Sequence, residues 1–109
     1  MFRQVRDAVD RFHVALRGQF AERLREFVLF GSQARGDAHA DSDVDILVTV
    51  DSLSDDERRV VFGLAYDAGA TGDELIVVSP LPYSTEQAED LRRRERRLML
   101  EIARDGVAL

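Results

Sequence analysis

Cysteine is absent from the 109 residues, which excludes thiol catalysis, disulfides, thiolate zinc sites and cysteine-held iron–sulfur clusters. Lysine is absent too, since all 15 basic residues are arginine. The chain can therefore form no Schiff base and can place no lysine on a phosphate. Histidine occurs only at His13 and His39, far apart in the sequence, which argues against a multi-histidine metal site. No apolar run approaches the ~20 residues of a membrane span. The first residues, Met1 to Phe12, carry charge throughout, unlike a secretory signal. The expectation is a cytoplasmic protein without membrane contact. Acidic residues outnumber basic ones by 21 to 15, a net charge of −6. That balance disfavours direct nucleic-acid binding, which requires a basic surface. Any chemistry is left to carboxylates, hydroxyls, arginines and the backbone.

What is present reads as one folded domain over residues 1–109. Apolar residues make up 45% of the chain, enough for a single core at this length. Phe2, Val5, Val9, Phe12, Leu16 and Phe20 recur at intervals of three and four, the stripe of an amphipathic helix. Gly18 is expected to fray or break it, with a short helical piece continuing to about Arg25. Phe27 to Phe30 is a compact apolar run closed by Gly31-Ser32, a buried strand entering a tight turn. Val44, Ile46, Leu47, Val48 and Val50 form a second strand. Ser54 with Glu57 is a capping box that starts a helix near Asp55. Leu75 to Val78 reads as a third strand, stopped by Pro80 and Pro82. Ser84 with Gln87 is another capping box, opening a last helix from Thr85 to Arg104. The order α-β-β-α-β-α predicts an α/β (α+β) fold: a small mixed β-sheet of three to four strands flanked by helices. The run Arg92, Arg93, Arg94, Arg96 and Arg97 reads as a solvated helix face with Glu89–Arg93 and Asp90–Arg94 pairs. His13 reads as a boundary residue of the first helix.

The residues able to carry chemistry lie between Phe30 and Val48. Asp43 and Asp45 are two apart at the start of a strand, so their side chains share a face, with Cα atoms about 6.5–7 Å apart. Two carboxylates placed so can converge on a divalent cation, and oxygen ligands suit magnesium or manganese. Glu74, placed at the start of the third strand, completes a three-carboxylate set if the strands pair. Gly31 lets the backbone approach a ligand closely, Ser32 adds a hydroxyl, and Arg35 suits a phosphate. Phosphate donors on one side and metal-binding acids on the other are what a nucleoside triphosphate with magnesium requires.

These residues also resemble a known family. Gly31-Ser32-Gln33-Ala34-Arg35-Gly36, followed by Ser42-Asp43-Val44-Asp45 and an apolar strand, is similar to the signature of the minimal nucleotidyltransferase domains of the DNA polymerase beta-like superfamily. The resemblance implies a polymerase beta palm-like fold. It implies that Gly31 and Ser32 hold the β- and γ-phosphates of ATP, that Asp43 and Asp45 bind two Mg2+ (or Mn2+) ions, and that Arg35 supports the turn or touches phosphate. The family's third carboxylate is usually an aspartate opening the next strand; Glu74 occupies that place by this alignment, as catalytic residue and metal ligand. Stand-alone domains of this kind pair with small helical HEPN toxins and act as antitoxins, adding AMP to a tyrosine of the toxin. The resemblance thus implies ATP and a HEPN-type toxin as partners, and leaves homo- or hetero-oligomers open. The other reading is a non-catalytic antitoxin that binds nucleotide and neutralises its partner by docking.

Overall fold

The computed structural model describes residues 1–39 and 42–109. Helix α1 spans Arg3–Phe20, and a 3-10 turn, Ala21–Arg23, leads into strand β1, Leu24–Phe30. A one-turn helix α2, Ser32–Arg35, precedes β2, Val44–Val50. Then come α3 (Asp55–Ala70), β3 (Val78–Ser84), α4 (Thr85–Arg93), α5 (Arg97–Asp105) and the short β4 (Val107–Ala108). The sheet order is β3-β2-β1-β4, with β1 antiparallel to β2 and to β4, and β2 parallel to β3. The fold is the mixed α/β sheet flanked by helices that the sequence predicts. No helix is long and apolar enough to cross a membrane among the described residues.

Two apolar layers hold the sheet. Val5, Val9, Phe12 and Leu16 of α1 and Val61 and Ala65 of α3 bury one face of it, together with Phe27, Leu29, Val44, Ile46, Val48 and Val78. On the other face, Leu47 lies under Ala88 of α4 and Met99 and Ile102 of α5, joined by Val28, Phe30, Leu81 and Tyr83. Strand residues alternate between faces. Even-numbered positions of β2 and β3 therefore face α1 and α3, and odd-numbered positions face the α4–α5 side.

Both capping boxes form: the Ser54 hydroxyl accepts from the Glu57 N–H and that of Ser84 from the Gln87 N–H, and each N3 side chain answers its cap backbone. At the end of the sheet away from Gly31, Arg23 clamps both carboxylate oxygens of Glu57, at 2.7 and 2.9 Å, and donates to the Asp51 and Ser52 carbonyls. Those hydrogen bonds, with one from the Ser54 backbone, hold the Glu57 carboxyl down at about 2.

Four expectations are corrected. Gly18 does not break α1, which continues to Phe20. Strand β1 starts at Leu24, not Phe27, because its first residues pair with the end of β2 (Leu24 opposite Val50), across a register shift. Strand β3 starts at Val78 and runs through both prolines. It is an edge strand. The Val44 N–H donates to Val77 O, so even positions of β3 turn their backbone groups to the open edge. Pro80 and Pro82, at even positions, therefore leave no ladder bond unmade. The last helix is two: it ends at Arg93 and resumes at Arg97, with Glu95 at φ +50° between them. The break turns α5 back over the sheet, where Met99 and Ile102 reach Leu47. Within the arginine run, Asp90 takes both Arg94 (3.2 Å) and Arg93 (3.6 Å), and Arg97 pairs with Glu101. His13 stacks on Phe27, with centroids 4.1 Å apart and rings 3° from parallel, and burial, then the Arg17 charge, lowers its pKa.

Candidate active site

The centre of the site is the junction of β1, α2 and β2. Phe30, the last residue of β1, pairs with Asp45 of β2, so the chain leaves the sheet beside that carboxylate. Gly31 makes the turn at φ +74°, a conformation that side-chain-bearing residues avoid. A Cβ on Gly31 would lie 2.5 Å from Oδ2 of Asp45. Glycine is required here twice over, by backbone conformation and by the carboxylate packed against it.

Helix α2 begins at Ser32. The Arg35 N–H donates to Gly31 O at 3.1 Å, which leaves the N–H groups of Ser32, Gln33 and Ala34 with no partner inside the helix. Gly36 caps the turn at φ +79°, and Ser32 O accepts from the N–H of both Gly36 (3.1 Å) and Asp37 (3.2 Å). Gln33 is buried, and its amide nitrogen has no hydrogen-bond partner among the described residues. Arg35 is exposed and leans on Asp37 at 3.4 Å. The loop back to β2 is closed by a reciprocal pair, His39 N–H to Ser42 Oγ (2.8 Å) and Ser42 N–H to His39 O (3.1 Å).

By strand alternation Asp43 and Asp45 fall on the same side of the sheet as Leu47. Asp45 is half-buried and Asp43 exposed. Burial pushes the Asp45 carboxyl above its usual range, the Asp43 charge pushes it further, and Arg35 pulls it back. A carboxylate pair that repels across a shared space, with a half-buried member, is a donor set suited to one hard divalent cation.

Glu74 is not part of this set. It is exposed in the segment between α3 and β3, four residues before the strand. It borders a cavity of about 250 Å3 with Gln4, Asp7 and Arg11 of α1. Ile76 and Val78, which share its parity, are buried in the α1–α3 core, on the face opposite the acid pair. The three-carboxylate cluster expected from the sequence is therefore corrected: among the described residues no three acids or histidines are grouped to hold a metal. Two further residues, which no sequence motif marks, stand beside the acid pair: Val77 just before β3 and Ser79 within it. Ser79 is the register partner of Asp45, and Val77 is tied to Val44 between the two acids.

A glycine turn abutting a carboxylate, a following helix turn whose first N–H groups have no partner inside it, and an acid pair on the adjoining strand meet at one corner of the α/β domain, the layout the sequence led one to expect of a nucleotidyltransferase. The comparisons agree with that class. The nucleotidyltransferase domain model matches residues 14–100, and the chain belongs to that family. Over 44 residues the chain is 43% identical to the "Putative protein adenylyltransferase MJ0604" of Methanocaldococcus jannaschii, a match spanning 40% of this chain and 44% of the relative's length. Among solved structures, a "toxin-antitoxin with AMP-PNP" shares the fold at TM-score 0.57 and 20% identity, over 98% of this chain and 72% of that one. A "putative nucleotidyltransferase from Sulfolobus solfataricus" does so at TM-score 0.50 and 21% identity, over 96% and 80%.

Proposed function

We propose that the chain transfers the adenylyl group of ATP to a hydroxyl of a protein partner, a tyrosine of a HEPN-type toxin, and serves as the antitoxin of that pair. The observation that carries this reading is the packing of Asp45 against the Cα of Gly31. It joins the phosphate turn and the acid pair into one site. The N–H groups of Ser32, Gln33 and Ala34 and the Ser32 hydroxyl would take the oxygens of the β- and γ-phosphates. Arg35 would offset their charge. Asp43 and Asp45 would hold a divalent ion such as Mg2+, whose chemistry is to neutralise charge at the phosphates. The acceptor oxygen then bonds to the α-phosphorus in line, the bond from that phosphorus to the bridging oxygen breaks, and pyrophosphate leaves with the electron pair. The acceptor proton passes to solvent. This chain contributes position and electrostatics rather than covalent chemistry.

The adenylyltransferase relative and the toxin–antitoxin neighbour support the reading. A second reading, docking without transfer, is favoured by one observation: the residues beside the acid pair are Val77, just before β3, and Ser79 of β3, and neither offers a carboxylate to accept the hydroxyl proton. The test uses ATP labelled on the α-phosphate, magnesium and the co-purified partner. The expected result is label on the partner, reduced at least 100-fold by Asp43→Ala and by Asp45→Ala. Partner inhibition that survives both substitutions, with no label transferred, overturns transfer and leaves docking.

A further inference from the structure

We propose that, on the adenylyl-transfer reading above, the acceptor protein docks at the open edge of the sheet, laying the apolar face of a helix flanked by basic residues on Phe62, Tyr66, Leu75 and Val77.

The chemistry sets the direction of approach. Gly31 and Ser32, which would hold the leaving pyrophosphate, follow Phe30 on the β1 side of Asp45. In-line transfer puts the entering oxygen opposite the leaving one. The acceptor therefore comes from the other neighbour of β2, which is β3, the edge of the sheet. Val77 stands at that entrance. Its carbonyl accepts at 2.9 Å from the N–H of Val44, the residue between the two aspartates.

The surface there is apolar. Phe62 and Tyr66, four apart on α3, and Leu75 and Val77, in the segment leading into β3, are between 49 and 66% exposed. They line one cavity of about 280 Å3 with the buried Ile76 and Val78. A contiguous exposed apolar patch marks an interaction surface. Its mode is not strand addition: the open edge of β3 carries Pro80 and Pro82, which have no N–H, and the Pro82 carbonyl accepts from Arg58. A helix face fills such a groove with side chains alone. The rim sets the charge of the partner. Asp67 follows Tyr66, and Asp73 and Glu74 precede Leu75; all three are exposed, and none pairs with an arginine among the described residues. Arg59, one turn before Phe62, is already taken by Asp56 at 2.7 Å. An acidic rim around an apolar groove matches an apolar stripe with basic flanks.

The test uses the partner that co-purifies with the chain, separated and then returned to it. Tyr66→Arg and Leu75→Arg change exposed positions of the patch, and Val14→Arg, similarly exposed on α1 and outside the cavity, is the control. Thermal melting checks that each variant folds, and Phe62→Ser stands in for a patch variant that does not. Each patch variant is expected to weaken partner binding, and to raise KM for the partner in label transfer, at least 10-fold. ATP binding and kcat at saturating partner are expected to stay within twofold, and Val14→Arg to change none of these. Patch variants that bind and label the partner like the wild type overturn the docking surface and leave transfer intact. A partner held through the patch but never labelled overturns transfer and leaves the docking surface. A dimer of the chain in sedimentation, dissolved by Tyr66→Arg, gives the patch to a second copy and overturns the proposal. A partner that neither binds nor takes label overturns both.

Discussion

Replacing Gly31 by alanine is expected to abolish measurable binding of Mg·ATP while leaving a folded, less stable protein. Two costs add. At φ +74° a Cβ strains the backbone by roughly 1–3 kcal/mol. The same Cβ also meets Asp45 Oδ2 at 2.5 Å, so either the turn or the carboxylate must move. Moving the carboxylate separates it from Asp43 and from the turn that would receive the phosphates. Gly36 supplies the control. Its φ is +79°, yet among the described residues nothing lies within 4 Å of a Cβ there, and asparagine tolerates this conformation. Gly36→Asn is expected to melt near the wild-type temperature and to keep nucleotide binding. Calorimetric titration of both variants checks the contrast. Equal losses in the two would assign the effect to backbone strain and not to the carboxylate contact.

The largest expected loss of stability comes from Phe12→Ala. The Phe12 side chain is fully buried, at the middle of the α1 stripe, and its ring tilts against Phe27 at 5.6 Å between centroids. Truncation removes a large apolar group and leaves a cavity between α1 and the sheet, worth about 3–5 kcal/mol. Domains of this size have about 5–15 kcal/mol in total. The urea midpoint should fall by about 1–5 M at the usual slope. Phe62→Ala, on the exposed face of α3, should shift it little. A small shift for Phe12 would mean that α1 is not packed as described.

What the sequence made readable is local in the chain. The spacing of Val5, Val9, Phe12, Leu16 and Phe20 marks a buried stripe because one helix carries it, and both capping boxes act within four residues. The Gly31 turn and the Asp43–Asp45 pair are equally local: one is a backbone conformation, the other an alternation along a single strand. What was not readable depends on pairing between distant segments. Pro80 and Pro82 look like strand breakers until β3 is known to be an edge with its even positions turned outward. Placing the strand start at Leu75 put Glu74 in register with the acid pair. The actual register starts at Val78, sets Ser79 opposite Asp45 and leaves Glu74 against α1. The parity of Glu74 with Ile76 and Val78 was visible in the sequence, but which face those two residues seek was not. The helix break at Glu95 likewise follows from where Met99 and Ile102 must land on the sheet, not from the arginines around it.

The most direct measurement is a crystal structure of the chain grown with Mn2+ and a non-hydrolysable ATP analogue, with the metal located by its anomalous signal. The predicted result is a triphosphate on the backbone of Ser32 to Ala34 and manganese at about 2.1 Å from one oxygen each of Asp43 and Asp45. A nucleotide bound away from Gly31, or a metal seated beside Glu74 with the aspartate pair vacant, would contradict it.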